Sequence, residues 1–172
     1  MSYDLVSIAV GVDPEELPPE GFQTPDDFYQ LLKGEMLTAS SRNGYVAFVL
    51  GKIVAAYGLP ALGFFNGKPW EAPGNVVGTL FAPHDAAAVV AAIDDLFERI
   101  TADPEAFAAI DSSISCSASD LLESVEQAEA SLHPMIDGGD DIQSVFNLLR
   151  SFQDLCTRSD EEGRQVLFVQ MC

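Results

Sequence analysis

Positive charge is scarce in this 172-residue chain: eight lysines and arginines stand against 27 aspartates and glutamates, a formal net charge of −19. A surplus of that size repels nucleic acid and anionic membranes, which excludes both as partners. Basic proteins and cations are the counterparts that suit it. Histidine is almost missing, with only His84 and His133. Cysteine is limited to Cys116, Cys156 and Cys172, an odd number without a Cys-x-x-Cys pair, which points to free thiols in a reducing compartment. The opening Met-Ser-Tyr-Asp carries no basic n-region and no cleavage site, so no signal peptide is read and the cytoplasm is the expected location.

Catalytic signatures are missing as well. The chain has no Gly-x-Ser-x-Gly, no phosphate-binding Gly-x-x-x-x-Gly-Lys, no Gly-x-Gly-x-x-Gly and no His-Glu-x-x-His. No cofactor, metal or catalytic residue is therefore assigned. Asp137, Asp140 and Asp141 are read as loop and helix cap rather than as cation ligands. The longest apolar stretch, Tyr45 to Phe65, holds 21 mostly apolar residues. Lys52 stands near its middle, at a cost of roughly 2.5–3.5 kcal/mol for membrane insertion. Gly58-Leu59-Pro60 breaks it further, so it is no membrane span.

What is present suffices for one globular domain over residues 1–172. Apolar residues make up 48% of the chain, which argues against disorder despite the charge. The acids are unevenly placed. Residues 1–35 carry eight acids and one lysine, residues 36–82 one acid and three basic residues, and residues 83–172 eighteen acids and four arginines. A near-neutral centre is thus flanked by acidic segments.

That centre is the stretch the rest is organised around. Tyr45 to Tyr57 has a single charge, at Lys52, and is expected to be a helix buried on all sides. Val46, Phe48, Val49, Leu50, Ile53 and Val54 are its inward residues, Ser40-Ser41 its cap and Gly58 its stop. Leu5 to Val10 alternates like a strand. Thr24-Pro25-Asp26-Asp27 opens a helix to about Lys33. Asn66-Gly67 signals a hairpin turn, with Pro69 confining the second arm to a sheet edge, and Val76 to Phe81 follows as a strand.

Pro83 begins the cleanest amphipathic helix, with Val89, Val90, Ile93, Leu96, Phe97 and Ile100 on one face. A short helix follows from Asp103-Pro104, then one capped by Ser117 or Ser119 and running to Leu132, with Leu121, Leu122, Val125 and Leu132 inward. A last helix runs to about Arg158 with Val145, Phe146, Leu149, Phe152 and Cys156 inward; Arg150 and Arg158 are placed toward its C-terminal end, where the dipole favours them. Val166 to Met171 reads as a strand buried on both faces. The fold class is α+β: a helix-rich domain whose small sheet, about three or four strands including both terminal ones, is covered by helices.

Two features suit recognition. The loop carrying Phe64, Phe65 and Trp70 beside Lys68 reads as core closure, contact patch or ligand floor. The acids Glu123, Glu126, Asp137, Asp140 and Asp141 form candidate docking charge. Phe65, Lys68, Trp70 and those five acids are the candidate partner-binding residues. Cys116 precedes a helix N-terminus, a setting that lowers a thiol pKa, so a Cys116–His133–acid arrangement is the one nucleophilic alternative.

In general character the chain is similar to bacterial toxin-neutralising (immunity) proteins: small, compact, strongly acidic and without catalytic motifs. The likeness is of type, not of motif, and carries over no functional residue. It implies a non-catalytic protein that occludes a basic partner, such as a toxin or nuclease. The alternatives are a small enzyme or ligand-binding domain built on the Phe64–Trp70 loop, and an accessory or structural protein. Homodimerisation is compatible with each.

Overall fold

The computed structural model describes residues 4–17, 30, 36–42, 44–63, 68–72, 76–130, 135–136 and 140–171. Among the described residues, six strands form one sheet: β1 (Asp4–Val12), β2 (Met36–Arg42), β3 (Lys68–Ala72), β4 (Val76–Phe81), β5 (Met135–Ile136) and β6 (Gln165–Met171). Their order is β3-β4-β6-β1-β2-β5. The body of the sheet is the antiparallel set β4-β6-β1-β2, and the two-residue β5 joins β2 in parallel at one edge. Both terminal strands, β1 and β6, lie side by side in the middle, as the apolar runs at the two ends of the chain require.

Five helices with described bounds belong to the α+β domain: α1 (Tyr45–Tyr57), α2 (Pro83–Ala102), α3 (Pro104–Ala108), α4 (Ala118–Ala130) and α5 (Ile142–Glu161). Their starts follow elementary capping chemistry. Asp103 accepts from the Ala106 N–H at 3.1 Å, and Asp141 from Ser144 at 2.9 Å. Ser117 accepts from the Asp120 N–H at 3.2 Å, and its hydroxyl donates to the Asp120 carboxylate at 2.7 Å. The Ser41 hydroxyl accepts from Val46 at 3.0 Å, although Ser41 itself lies in β2.

Period-two alternation sorts the strand residues into two layers. Ala9, Leu37, Ala39, Phe81, Val166 and Phe168 face the helices, and Ile8, Val10, Val12, Leu80, Leu167 and Val169 form a second cluster on the other side. Phe168 stands level with Ala9 on one neighbour and Thr79 on the other. These small side chains leave room for its ring, which meets Phe152 of α5 edge-on at 5.7 Å. Phe152 in turn meets Phe81 at 5.7 Å. Farther along α5, Phe146 contacts Phe97 of α2 and Phe107 of α3. Helix α5 is thereby the hub of the core, with Val145, Phe146, Leu149, Phe152 and Cys156 all buried as expected.

Several expectations need correction. Helix α1 is not buried all round: Val46, Val49, Leu50 and Ile53 are buried, but Phe48 is 51% exposed and Gly51, Lys52, Ala55 and Ala56 face solvent. The helix lies against β2 and α5 along one side only, and small residues on the outer side leave nothing that must be hidden. Leu122 of α4 is 37% exposed, because the inward stripe runs through Leu121, Val125 and Ala128. Arg150 stands mid-way along α5, since the helix extends to Glu161. The Asn66-Gly67 turn lies outside the described residues; β3 is paired with β4, which follows it across residues 73–75. Strand β3 does lie at the sheet edge that Pro69 demanded. The helix expected over Thr24–Lys33 lies, but for Gln30, outside the described residues.

Candidate functional site

Helices α2 and α5 run antiparallel, while α4 runs alongside α5 in the same direction. Four contacts establish this. Arg150 of α5 meets Asp94 of α2 at 2.9 Å, and Gln153 one turn later donates to the earlier Val90 carbonyl at 3.1 Å; Arg150 meets Glu129 of α4 at 2.8 Å, and Gln143 near the start of α5 donates to the earlier Ser124 carbonyl at 3.1 Å. Arg150 is the centre of the arrangement. Its guanidinium lies 4.0 Å from the centroid of the Phe97 ring and also donates to Gln153 at 2.8 Å. The side chain is only 12% exposed, and Nε is buried without a hydrogen-bond partner. A planar cation of this kind stacks on a ring and bridges two carboxylates at once, which lysine does not reproduce.

Two clefts flank Arg150. One, of about 500 Å³, is lined by Val90, Asp94, Glu129, Gln153, Asp154 and Thr157 besides Arg150 itself. The other, of about 480 Å³, includes Phe97, Glu98, Thr101 and Val125. The surplus of acid over base is visible in the ion pairs. Lys52, Arg99, Arg150, Arg158 and Arg164 are each engaged by a carboxylate of this chain: Asp111, Asp95, Asp94 with Glu129, Asp154 and Glu162 respectively. Among the described residues, no cation lies against Glu98, Glu123, Glu126, Asp140 or Asp160, so their charge faces outward uncompensated.

The described sequence candidates divide between α4, the start of α5 and strand β3. Glu123 and Glu126 are exposed on α4. Asp140 and Asp141 line a separate cleft of about 280 Å³ with Tyr45, Ser113, Cys116 and Ser124. Asp141 is occupied there as the α5 cap. Lys68 and Trp70 sit on β3 at one edge of the sheet, whereas the segment leading to Asp140 leaves from β5 at the other. Their side chains, together with Phe65 and Asp137, lie outside the described residues.

The cleft around Tyr45 and Cys116 holds both groups toward their protonated forms. Tyr45 donates its hydroxyl to the Ser113 carbonyl at 3.0 Å. Burial, then Asp141 and Asp140, raises its pKa. Burial, followed by Asp120 and Asp141, likewise raises the Cys116 thiol, the reverse of the lowering expected from its place before α4. Nearby, hydrogen bonds from Ser113, first its N–H and then its hydroxyl, hold the Asp111 carboxyl below its usual value. His133 lies outside the described residues. His84 is 83% exposed against its neighbour Asp85 at 3.2 Å and lines none of these clefts. No group of histidine, cysteine and carboxylate suited to a metal occurs among the described residues, and none of their helices is long and apolar enough to cross a membrane.

Sequence reasoning missed the Arg150 hub. The available signal was an arginine set among Phe146, Leu149 and Phe152 in a helix core, where long cations are rare unless partnered. Compared with known protein families, with curated proteins and with solved structures, the chain matches none.

Proposed function

We propose that this is a non-catalytic acidic binding protein that captures and occludes a basic protein partner, in the manner of immunity proteins acting in the cytoplasm on a toxin or nuclease. The observation that carries this reading is the pattern of ion pairs. The basic side chains of the helical layer are spent on internal pairs, and exposed carboxylates on α2, α4 and α5 are left without counter-charge. Such a surface speeds encounter with a cationic partner and disfavours anionic ones. Among the described residues, the raised Cys116 thiol and the exposed His84 favour no nucleophilic alternative.

A tagged pull-down from the native host, at low and near-physiological salt, tests the proposal. The expected result is one basic protein retained in stoichiometric amount, with an association rate that falls as salt rises. Neutralising Glu123, Glu126, Asp140 and Asp141 together should weaken retention. An association rate indifferent to salt, or retention of acidic proteins only, overturns the reading.

A further inference from the structure

The two clefts beside Arg150 continue into a third, of about 310 Å³, lined by Ala87, Val90, Ala91, Cys156, Thr157 and Asp160 among others. Asp94 borders all three, so they form one groove that follows the α2–α5 seam and turns between α2 and α4 at Glu98. On α2, the exposed residues Ala87, Ala91, Asp94 and Glu98 follow one another at steps of four, three and four, which places them on a single stripe. The stripe begins small and apolar and ends acidic. Opposite it, α5 contributes Asp154, Thr157 and Asp160, and α4 closes the far end with Glu129.

We propose that this groove is the docking site, and that its occupant is an amphipathic helix of the partner bearing lysine or arginine along one side. The inference rests on the basic-partner reading above and adds where the partner sits and in what form. Charge complementarity selects the occupant. Five carboxylates, Asp94, Glu98, Glu129, Asp154 and Asp160, line the groove; Arg150 holds Asp94 and Glu129, Arg158 holds Asp154, and Glu98 and Asp160 meet no cation among the described residues. A neutral or acidic segment would desolvate those carboxylates without return. The small side chains at Ala87 and Ala91 allow another helix to approach α2 closely, with its apolar face over Val90. From Pro83 to Glu98 the seam follows about 22 Å of helix, the length of a helix of roughly 15 residues. Glu126, one turn before Glu129 on α4, extends the acidic rim toward Glu123.

The test is fluorescence anisotropy with a labelled helical peptide of about 15 residues, lysine on one face and alanine and leucine on the other. A peptide of the same composition with the two faces scrambled is the comparison. Glu98→Lys with Asp160→Lys should weaken binding about tenfold or more. Glu15→Lys with Glu16→Lys makes the same change in net charge on residues that line no part of the groove, and should leave affinity within about twofold. Ala91→Gln, which adds bulk without charge on an exposed helical position, should also weaken binding. Equal losses from the two charge-reversed pairs would sink the groove while leaving a basic partner in place. Equal affinity for the scrambled peptide, or no binding of the patterned one, overturns the helix-in-groove assignment. The pull-down judges the wider reading separately.

Discussion

The guanidinium of Arg150 and the ring of Phe97 face each other at 4.0 Å, and this stacked pair is where three helices are tied together. Arg150 reaches α2 through Asp94 and α4 through Glu129 while standing on α5. Both carboxylates are more than half exposed, so the ion pairs contribute little by themselves. The covered stem and the stacked plane contribute more.

Arg150→Ala is expected to lower unfolding free energy by about 1–3 kcal/mol, and Arg150→Lys to recover less than half of that loss, because an ammonium neither stacks flat nor bridges two carboxylates. Urea unfolding of the three proteins measures this. A lysine variant as stable as the parent would mean that charge alone matters at this position.

Phe48 and Val49 are adjacent in sequence and opposite in consequence. Val49 is fully buried, so Val49→Asp places an unpaired carboxylate in the core and should leave no folded protein. Phe48→Ser touches an exposed ring whose resolved polar neighbour is Lys52 at 5.2 Å, and should change stability by less than about 1 kcal/mol. Soluble yield and circular dichroism separate the two outcomes, and a folded Val49→Asp protein refutes the one-sided burial of α1.

Gly11 of β1 has no room for a side chain, because a Cβ there would come within 2.6 Å of the Ser159 hydroxyl of α5. Gly11→Ala should cost roughly 1 kcal/mol, and adding Ser159→Ala should return most of it. A double-mutant cycle with no coupling would show that strand and helix adjust independently.

Burial pushes the Cys156 thiol up to about 12, from an ordinary value near 9. The folded state therefore keeps its proton over a pH range in which the unfolded chain has lost it. Stability from this group is complete below about pH 9 and falls as pH rises toward 12. Cys156→Ala should flatten that part of the pH–stability curve, read from denaturant midpoints at pH 8, 9 and 10.5. Cys156 should also resist thiol reagents in the native protein at pH 8. A parent and variant whose midpoints fall in parallel would assign the loss to other groups.

Gly58 ends α1 in the left-handed region, at φ 63°, and its N–H bonds to the Val54 carbonyl. Gly58→Ala meets no atom but adopts that conformation at a cost of about 1 kcal/mol, visible as a lower Tm. An unchanged Tm would show that the chain leaves α1 by another path.

Much of this architecture was written locally. Pro83, Asp103, Ser117 and Asp141 each begin a helix by chemistry confined to a few neighbouring residues, and the helical spacing from Val89 to Ile100 fixes which face of α2 turns inward. Val166 to Val169 is apolar on both faces because β6 is an inner strand with a cluster on each side, and the unbroken run announced as much. Strand β2 was illegible because its inward residues, Leu37, Ala39 and Ser41, include only one large apolar side chain. The exposed side of α1 was missed because glycine and alanine read as apolar whether or not anything covers them. The sequence thus determined the helices, strands β1, β4 and β6, and the charge, since each depends on residues close in the chain or on composition. Only the tertiary structure decided that Asp94, Glu129 and Arg150, separated by up to 56 positions, meet along one groove, and that β3 and β5 close opposite edges of the sheet. Those relations depend on how helices pack across the sheet, which no local pattern encodes.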